Sequence, residues 1–239
     1  MPKKTKKIDL PDTIIPIECA DKEGWSESWD SGRNLLDIPH PWRGIFIGLP
    51  SSGKSTYIKN IILRTKPHFQ EIIVSNFDSD NSDEWTDGIK VKFITGIPDP
   101  KSFDRKKKRL LVIEDLDISN LKPLDKSNLN RLMGYTSSHC NLSIAITTQA
   151  AFDIRPSIRR MANLFVLFKN HDLNSLVTLA SRTGLKSKHM VIIMSQLLSQ
   201  LHSSLTIDLQ NSSPARYRIN GFQELTLKEL DEMVKEANI

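Results

Sequence analysis

Apolar and polar positions fall in alternating blocks along most of the chain. Arg43-Gly44-Ile45-Phe46-Ile47 is a short apolar run suited to a buried strand. The period then changes, and from Thr56 to Arg64 the residues Ile58, Ile61 and Ile62 share one helical face. Glu71–Ser75 reads as a second strand, set off by the helix-ending Pro67. Arg109–Ile113, Leu142–Thr147 and Leu164–Phe168 read as a third, fourth and fifth. Helices are predicted over Asn128–Ser138, Leu173–Arg182, Ser187–His202 and Leu225–Ala237. Strands alternating with helices predict an α/β fold with a central, mostly parallel sheet flanked by helices. Leu205–Leu209 and Ala215–Ile219, joined through Asn211-Ser212-Ser213-Pro214, read as a late antiparallel strand pair. Residues 76–108 are polar, with a short strand expected at Ile89–Ile94. Residues 1–40 carry Pro11, Pro16 and Pro39 and no sustained period. The expected organisation is an N-terminal arm (1–40), one α/β domain (41–224) and a C-terminal helix (225–239).

Composition narrows the class. At 239 residues and 38% hydrophobic content, the chain can bury a core and is not globally disordered. No apolar run is long enough for a transmembrane helix. The basic start, Met1 to Lys7, lacks a following apolar stretch and so does not read as a secretory signal. With 2 cysteines, Cys19 and Cys140, there is neither a disulfide framework nor zinc spacing, which suits a reducing interior compartment. A net charge of +5 permits a nucleic-acid partner without requiring one. The charge concentrates in Lys3–Lys7 and in Arg105-Lys106-Lys107-Lys108-Arg109. The first run reads as a solvated tail. The second reads as a soluble loop guarding an apolar strand, or as a contact for nucleic-acid phosphates.

The candidate chemistry begins at Gly48-Leu49-Pro50-Ser51-Ser52-Gly53-Lys54-Ser55, which fits G-x-x-x-x-G-K-[ST], the P-loop. Gly48 and Gly53 let the backbone turn tightly and approach a polyphosphate. The loop N–H groups from Pro50, Ser51, Ser52 and Gly53 to Thr56 surround a site for anionic oxygens, though Pro50 itself has no N–H to give. Lys54 brings an ammonium to the β- and γ-phosphates, and the Ser55 hydroxyl suits Mg²⁺. A preceding strand and a following helix are the context the motif requires. The implied ligands are ATP and Mg²⁺.

Three further segments follow in order. Val112-Ile113-Glu114-Asp115 ends an apolar strand in two acids, as a Walker B motif does. By register Glu114 takes the metal and Asp115 polarises the attacking water, and the reverse holds if the strand ends one residue later. Ile146-Thr147-Thr148-Gln149 ends the next strand in uncharged polar groups. Gln149 there is a candidate to sense the γ-phosphate or the attacking water, with Thr147 or Thr148 in support. The competing reading makes Thr148 and Gln149 caps of the next turn. Ile154-Arg155-Pro156-Ser157-Ile158-Arg159-Arg160 then supplies candidate arginine fingers, Arg159 before Arg155, against the alternative of surface arginines.

With these segments in this order, residues 40–222 resemble the genome-packaging ATPases of the FtsK/HerA superfamily, in the variety found in large double-stranded DNA viruses and virophages. The Tyr217-Arg218-Ile219-Asn220 strand is also similar to the end of that family's domain. The Glu114-Asp115 order departs from the usual Asp-first pattern. The resemblance implies a P-loop NTPase fold and a homo-oligomeric ring, pentamer or hexamer, that drives double-stranded DNA into a capsid with ATP. It implies a capsid or portal vertex as docking partner, and an arginine finger reaching a neighbouring subunit. The expected location is the host-cell interior, in the cytoplasm or a viral factory, or on the virion. No nuclease domain is evident, which separates the chain from two-domain terminases. The rival readings are a DNA helicase, a nucleotide-dependent switch or assembly factor with slow hydrolysis, and a P-loop kinase.

Overall fold

The computed structural model describes residues 38, 40–65, 67–77, 85, 88–169, 172–180, 182–211 and 215–237. The expected arm over residues 1–40 lies almost wholly outside them. A 9-stranded sheet runs through the described chain. Its strands are β1 (Arg43–Ile47), β2 (Glu71–Asn76), β3 (Lys92–Thr95), β4 (Arg109–Ile113), β5 (Leu142–Thr148), β6 (Leu164–Phe168), β7 (Ser204–Asp208), β8 (Tyr217–Ile219) and β9 (Gln223–Glu224). Their spatial order is β3-β2-β4-β5-β1-β6-β7-β8-β9. The first six of these positions are joined by parallel pairing, and β7, β8 and β9 add on antiparallel. This is the α/β architecture that the alternation predicts, with its late antiparallel strands.

Continuous apolar runs form the central strands because both faces of the sheet are covered. Successive residues point to opposite faces. On β4, Leu111 and Ile113 join the larger core cluster, with Leu129, Leu176, Ile193 and Leu230. Leu110 and Val112 join the smaller one, with Trp42, Tyr57, Ile58, Ile61 and Trp85. Helix α1 (Lys54–Arg64) supplies Tyr57, Ile58 and Ile61 to that second layer. The larger layer collects residues of α2 (Pro123–Arg131), α4 (Pro156–Met161), α5 (Leu173–Ala180), α6 (Ser187–Ile192) and α7 (Leu227–Glu236), while the short α3 (Ser137–His139) leads into β5.

Several boundaries differ from expectation for identifiable reasons. The helix expected at Asn128 starts at Pro123, where proline's fixed φ suits a first helical position. It then passes through a π-helical turn at Leu132–Thr136. The helix expected over Ser187–His202 ends in a π-helical turn at Ile193–Leu197, and His202 stands at φ 66 in the left-handed region. The short strand expected at Ile89–Ile94 is shifted to Lys92–Thr95, where it pairs parallel with β2 at the sheet edge. Helix α4 has only 6 residues and was not foreseen; again a proline opens it.

The basic run before β4 is largely committed to the protein itself. Arg109 is 6% exposed and pairs with Glu71 at 2.7 Å and Asp104 at 3.0 Å. Its hydrogen bond holds the Glu71 carboxyl below the ordinary carboxylate range. Lys108 Nζ donates to the Pro67 carbonyl at 2.7 Å, and Arg105 Nε to the His139 carbonyl at 2.7 Å. Arg109 is therefore a strand anchor and not a phosphate contact. Lys106 and Lys107 remain exposed.

Candidate active site

The Gly48–Ser55 loop sits between the carboxyl end of β1 and the first turn of α1. Gly48 N–H donates to the Thr148 carbonyl at 3.2 Å, tying the loop to the tip of β5. A side chain at Gly48 would strike Ser52 Oγ and come within 2.8 Å of Phe168 Cβ, so only glycine fits there. Ser51 and Gly53 hold φ of 58 and 102, and the chain turns through them into the helix. Gly53 caps α1 without any side-chain hydrogen bond, and no acid lies in the first turn. The first N–H groups of a helix lack internal acceptors and carry the positive end of its dipole, which makes this end an anion site. Lys54 is 8% exposed, with Nζ donating to the Gly48 and Leu49 carbonyls at 2.8 and 2.9 Å.

A cavity of about 580 Å³ opens over this loop. Its walls include Pro50 to Thr56, the two acids Glu114 and Asp115, and Thr147. The volume suits a small-molecule ligand. Sheet order explains the convergence. β5 lies between β1 and β4, so the tips of three neighbouring strands present the loop, Thr147 and the acid pair side by side. β4 is paired with β2 through Ile113, and Glu114 N–H continues the ladder to the Ser75 carbonyl at 3.0 Å. The chain then breaks from the sheet. Asp115 has φ 41, and its N–H donates to Thr147 Oγ1 at 2.8 Å. Left-handed backbone at a non-glycine residue is uncommon and concentrates at functional sites.

The two acids differ in surroundings. Glu114 is 8% exposed; its Oε1 accepts from Trp85 Nε1 at 2.8 Å and its Oε2 from Asn76 Nδ2 at 3.4 Å. Asp115 is exposed at the cavity wall. A serine hydroxyl and two carboxylates on the wall of one cavity form a hard-oxygen donor set. Such a set fits Mg²⁺, which commonly takes one or two carboxylates and completes its shell with water and substrate phosphate.

Other expected residues stand further off. Thr148 Oγ1 donates to Asp153 Oδ2 at 3.0 Å, so this threonine does cap the turn after β5. Gln149 is exposed just beyond the cavity wall that Thr147 forms. Arg155 and Arg159 do not line the cavity. Arg155 is exposed at the start of α4. Arg159 is half-buried, donates to the Ala151 carbonyl at 3.0 Å and lies 5.3 Å over the exposed Phe152 ring. Burial, with Arg182 nearby, pulls the Arg159 guanidinium below its ordinary range. The sequence reading missed Asn76, Phe77 and His202 on the cavity wall, and Trp85 behind Glu114. Only Asn76, the polar end of an apolar strand, gave any sign of this in the sequence.

Strand order, loop and facing acids define the class as the P-loop NTPase fold, with one strand inserted between the loop strand and the acid-bearing strand. No protein-family model matches the chain, and no curated protein does. Among solved structures it is similar to the genome packaging NTPase B204 from Sulfolobus turreted icosahedral virus 2 in complex with AMPPCP. That match has 15% identity and a TM-score of 0.53, over 76% of this chain and 98% of that one. The DNA-packaging ATPase B204 from Sulfolobus turreted icosahedral virus matches at 17% identity and TM-score 0.51, over 75% and 97% of the two chains. The pCW3 conjugation coupling protein TcpA with bound ATPγS matches at 15% identity and TM-score 0.52, over 84% of this chain and 66% of that one. At these identities the likeness is one of fold, and it agrees with the P-loop NTPase fold that the sequence resemblance implies.

Proposed function

We propose that the protein is an ATP-hydrolysing motor that moves double-stranded DNA, and that its task is packaging a viral genome into a capsid. The carrying observation is the convergence of Lys54, Ser55, Glu114, Asp115 and Thr147 on one cavity at the amino end of α1. The α1 N–H groups and Lys54 hold the triphosphate, and Ser55 with Glu114 are the residues that would hold Mg²⁺. The metal, when bound, supplies positive charge at the transferring phosphoryl group. Asp115, exposed beside Glu114, orients the attacking water, with Thr147 fixing the backbone that presents it. Gln149 reads the γ-phosphate from the β5 tip. Arg159, which lies away from its own chain's cavity, stabilises the transferring charge in a neighbouring subunit, with Arg155 as the second choice. The same reading makes the protein a homo-oligomeric ring docked on a capsid portal in the host-cell interior. The packaging assignment is supported by the names of the structural neighbours, B204 above all.

The deciding experiment is steady-state ATP hydrolysis with and without long double-stranded DNA, with Lys54→Ala as the blank. Stimulation by duplex well above that by single strands is expected. Preference for single strands with unwinding would replace the motor by a helicase. Tight nucleotide binding with slow turnover that ignores DNA would replace it by a switch. Phosphate transfer to an acceptor would replace it by a kinase.

A further inference from the structure

Glu114 is aimed by a residue that no phosphate-site motif contains. The alternation along β4 puts Glu114 on the same face as Leu110 and Val112, which pack in the layer of α1 and Trp85. Trp85 is 1% exposed, and its single polar atom donates to Glu114 Oε1 at 2.8 Å. Lys59 of α1 brings its Nζ 5.7 Å from the ring centroid on the same indole. The second oxygen, Oε2, has the longer contact to Asn76 at 3.4 Å. A phenylalanine or leucine would be as apolar but has no N–H to give, so burial alone does not account for a tryptophan whose donor meets Glu114. A buried carboxylate needs donors. An indole N–H fixes its orientation without cancelling its charge, which an arginine in that place would do. The charge thus stays directed at the cavity.

We propose that Trp85 is a positioning residue for Glu114: its indole N–H locks one carboxylate oxygen so that the group faces the phosphate site. The proposal rests on the ATPase reading above. Because residue 85 lies between β2 and β3, the connection leaving the sheet beside Asn76 carries the group that aims the acid. The lock acts on Glu114 whether that residue holds the metal or polarises water.

The test uses the full chain. Trp85→Phe keeps an aromatic ring in the pocket and removes the donor. Its kcat should fall about 10–100-fold, as for lost outer-shell partners, with KM for ATP and the affinity for ATPγS nearly unchanged. Normal turnover in Trp85→Phe overturns the proposal, as does a parallel loss of kcat, affinity and Tm, which marks a packing role. A wild-type protein that binds but never hydrolyses ATP overturns the ATPase reading itself, and the lock with it. A second readout is independent of turnover. In protein labelled with 5-fluorotryptophan, one of the 4 tryptophans is Trp85, assigned by the peak lost in Trp85→Phe or by elimination with Trp25, Trp29 and Trp42 replaced. That ¹⁹F peak should move in Glu114→Ala and on adding ATPγS with Mg²⁺ to the wild type. A peak unmoved by Glu114→Ala removes the contact and overturns the proposal.

Discussion

The two ends of the parallel sheet treat polar groups in opposite ways. At the carboxyl ends of β1, β4 and β5, Lys54, Ser55, Glu114, Asp115 and Thr147 converge on a cavity, and the backbone takes left-handed turns at Ser51, Gly53 and Asp115 to present them. At the amino ends, the polar groups converge on one another. Arg109 is spent on Glu71 and Asp104, Lys108 on the Pro67 carbonyl, and His40 on Ser143 and Asn141. Both ends are rich in charge. The difference lies in what each set faces: an open cavity at the carboxyl ends, and only other protein groups at the amino ends. Substitutions at the carboxyl end should therefore remove turnover and spare stability, and those at the amino end should do the reverse.

The largest effect is expected at Lys54. Among the described residues no other side chain on the cavity wall carries an ammonium, so Lys54→Ala should lower ATP hydrolysis by at least about 10³-fold, the upper end of what losing one charge-stabilising donor costs. Its Tm should stay close to that of the parent. Residual turnover near the wild-type rate would mean that the cavity is not the hydrolytic site. Arg159→Ala comes next. It should keep nucleotide affinity and lose about 10³-fold in turnover, as arginine fingers do. Mixing it with Lys54→Ala subunits should restore some activity, because each mutant supplies what the other lacks across a subunit boundary. No recovery on mixing would place the finger elsewhere or in the same chain.

At the amino end the expected losses are of stability. Arg109→Ala strips hydrogen bonds from two carboxylates at the root of β4 and should cost about 1–2 kcal/mol in denaturant unfolding. The affinity for ATPγS should be unchanged. A loss of nucleotide affinity without a loss of stability would break the division between the two ends.

How far each end was legible in the sequence follows from the same division. That the Gly48–Ser55 loop and the Glu114-Asp115 tip belong together could be read directly, because the phosphate site proposed there needs fixed residue types at fixed spacing, and both do line one cavity. The core strands could be read from their unbroken apolar runs. Trp85 and His202 could not, since they reach the site from connections whose course only the fold determines. Nor could the fate of Arg109, because a cation that anchors a strand looks the same in sequence as one that waits for DNA. Thr147 and Thr148 show the limit most plainly. Adjacent and chemically identical, one lines the cavity and the other caps a turn, and strand alternation alone separates them.

The smallest predicted effect tests the amino end by pH. His40 is held between Ser143 Oγ at 2.7 Å and Asn141 Oδ1 at 2.8 Å. Desolvation by burial lowers its pKa from 6.5 to about 4, against the opposing hydrogen bond that the ring donates to Asn141. Between these two values the unfolded chain takes up a proton at this ring and the folded chain does not. Stability must therefore fall as pH drops from 6.5 toward 4, and this contribution levels off below that. The carboxylates held low by their partners, Glu71 and Asp104, lose their contribution only when pH falls past their own ordinary values of 4.5 and 3.8. The interval from pH 6.5 to 5 thus isolates the histidine from both. With the ring partly in contact with water, the expected loss by pH 5 is about 1 kcal/mol, or about 2–4 °C in Tm. His40→Gln has no ring to protonate and should flatten the Tm profile across that interval while leaving ATP turnover at pH 7.5 unchanged. An equal slope in the variant would assign the acid sensitivity to another group. A loss of turnover at pH 7.5 would mean that the amino end is not insulated from the site at the other end of the sheet.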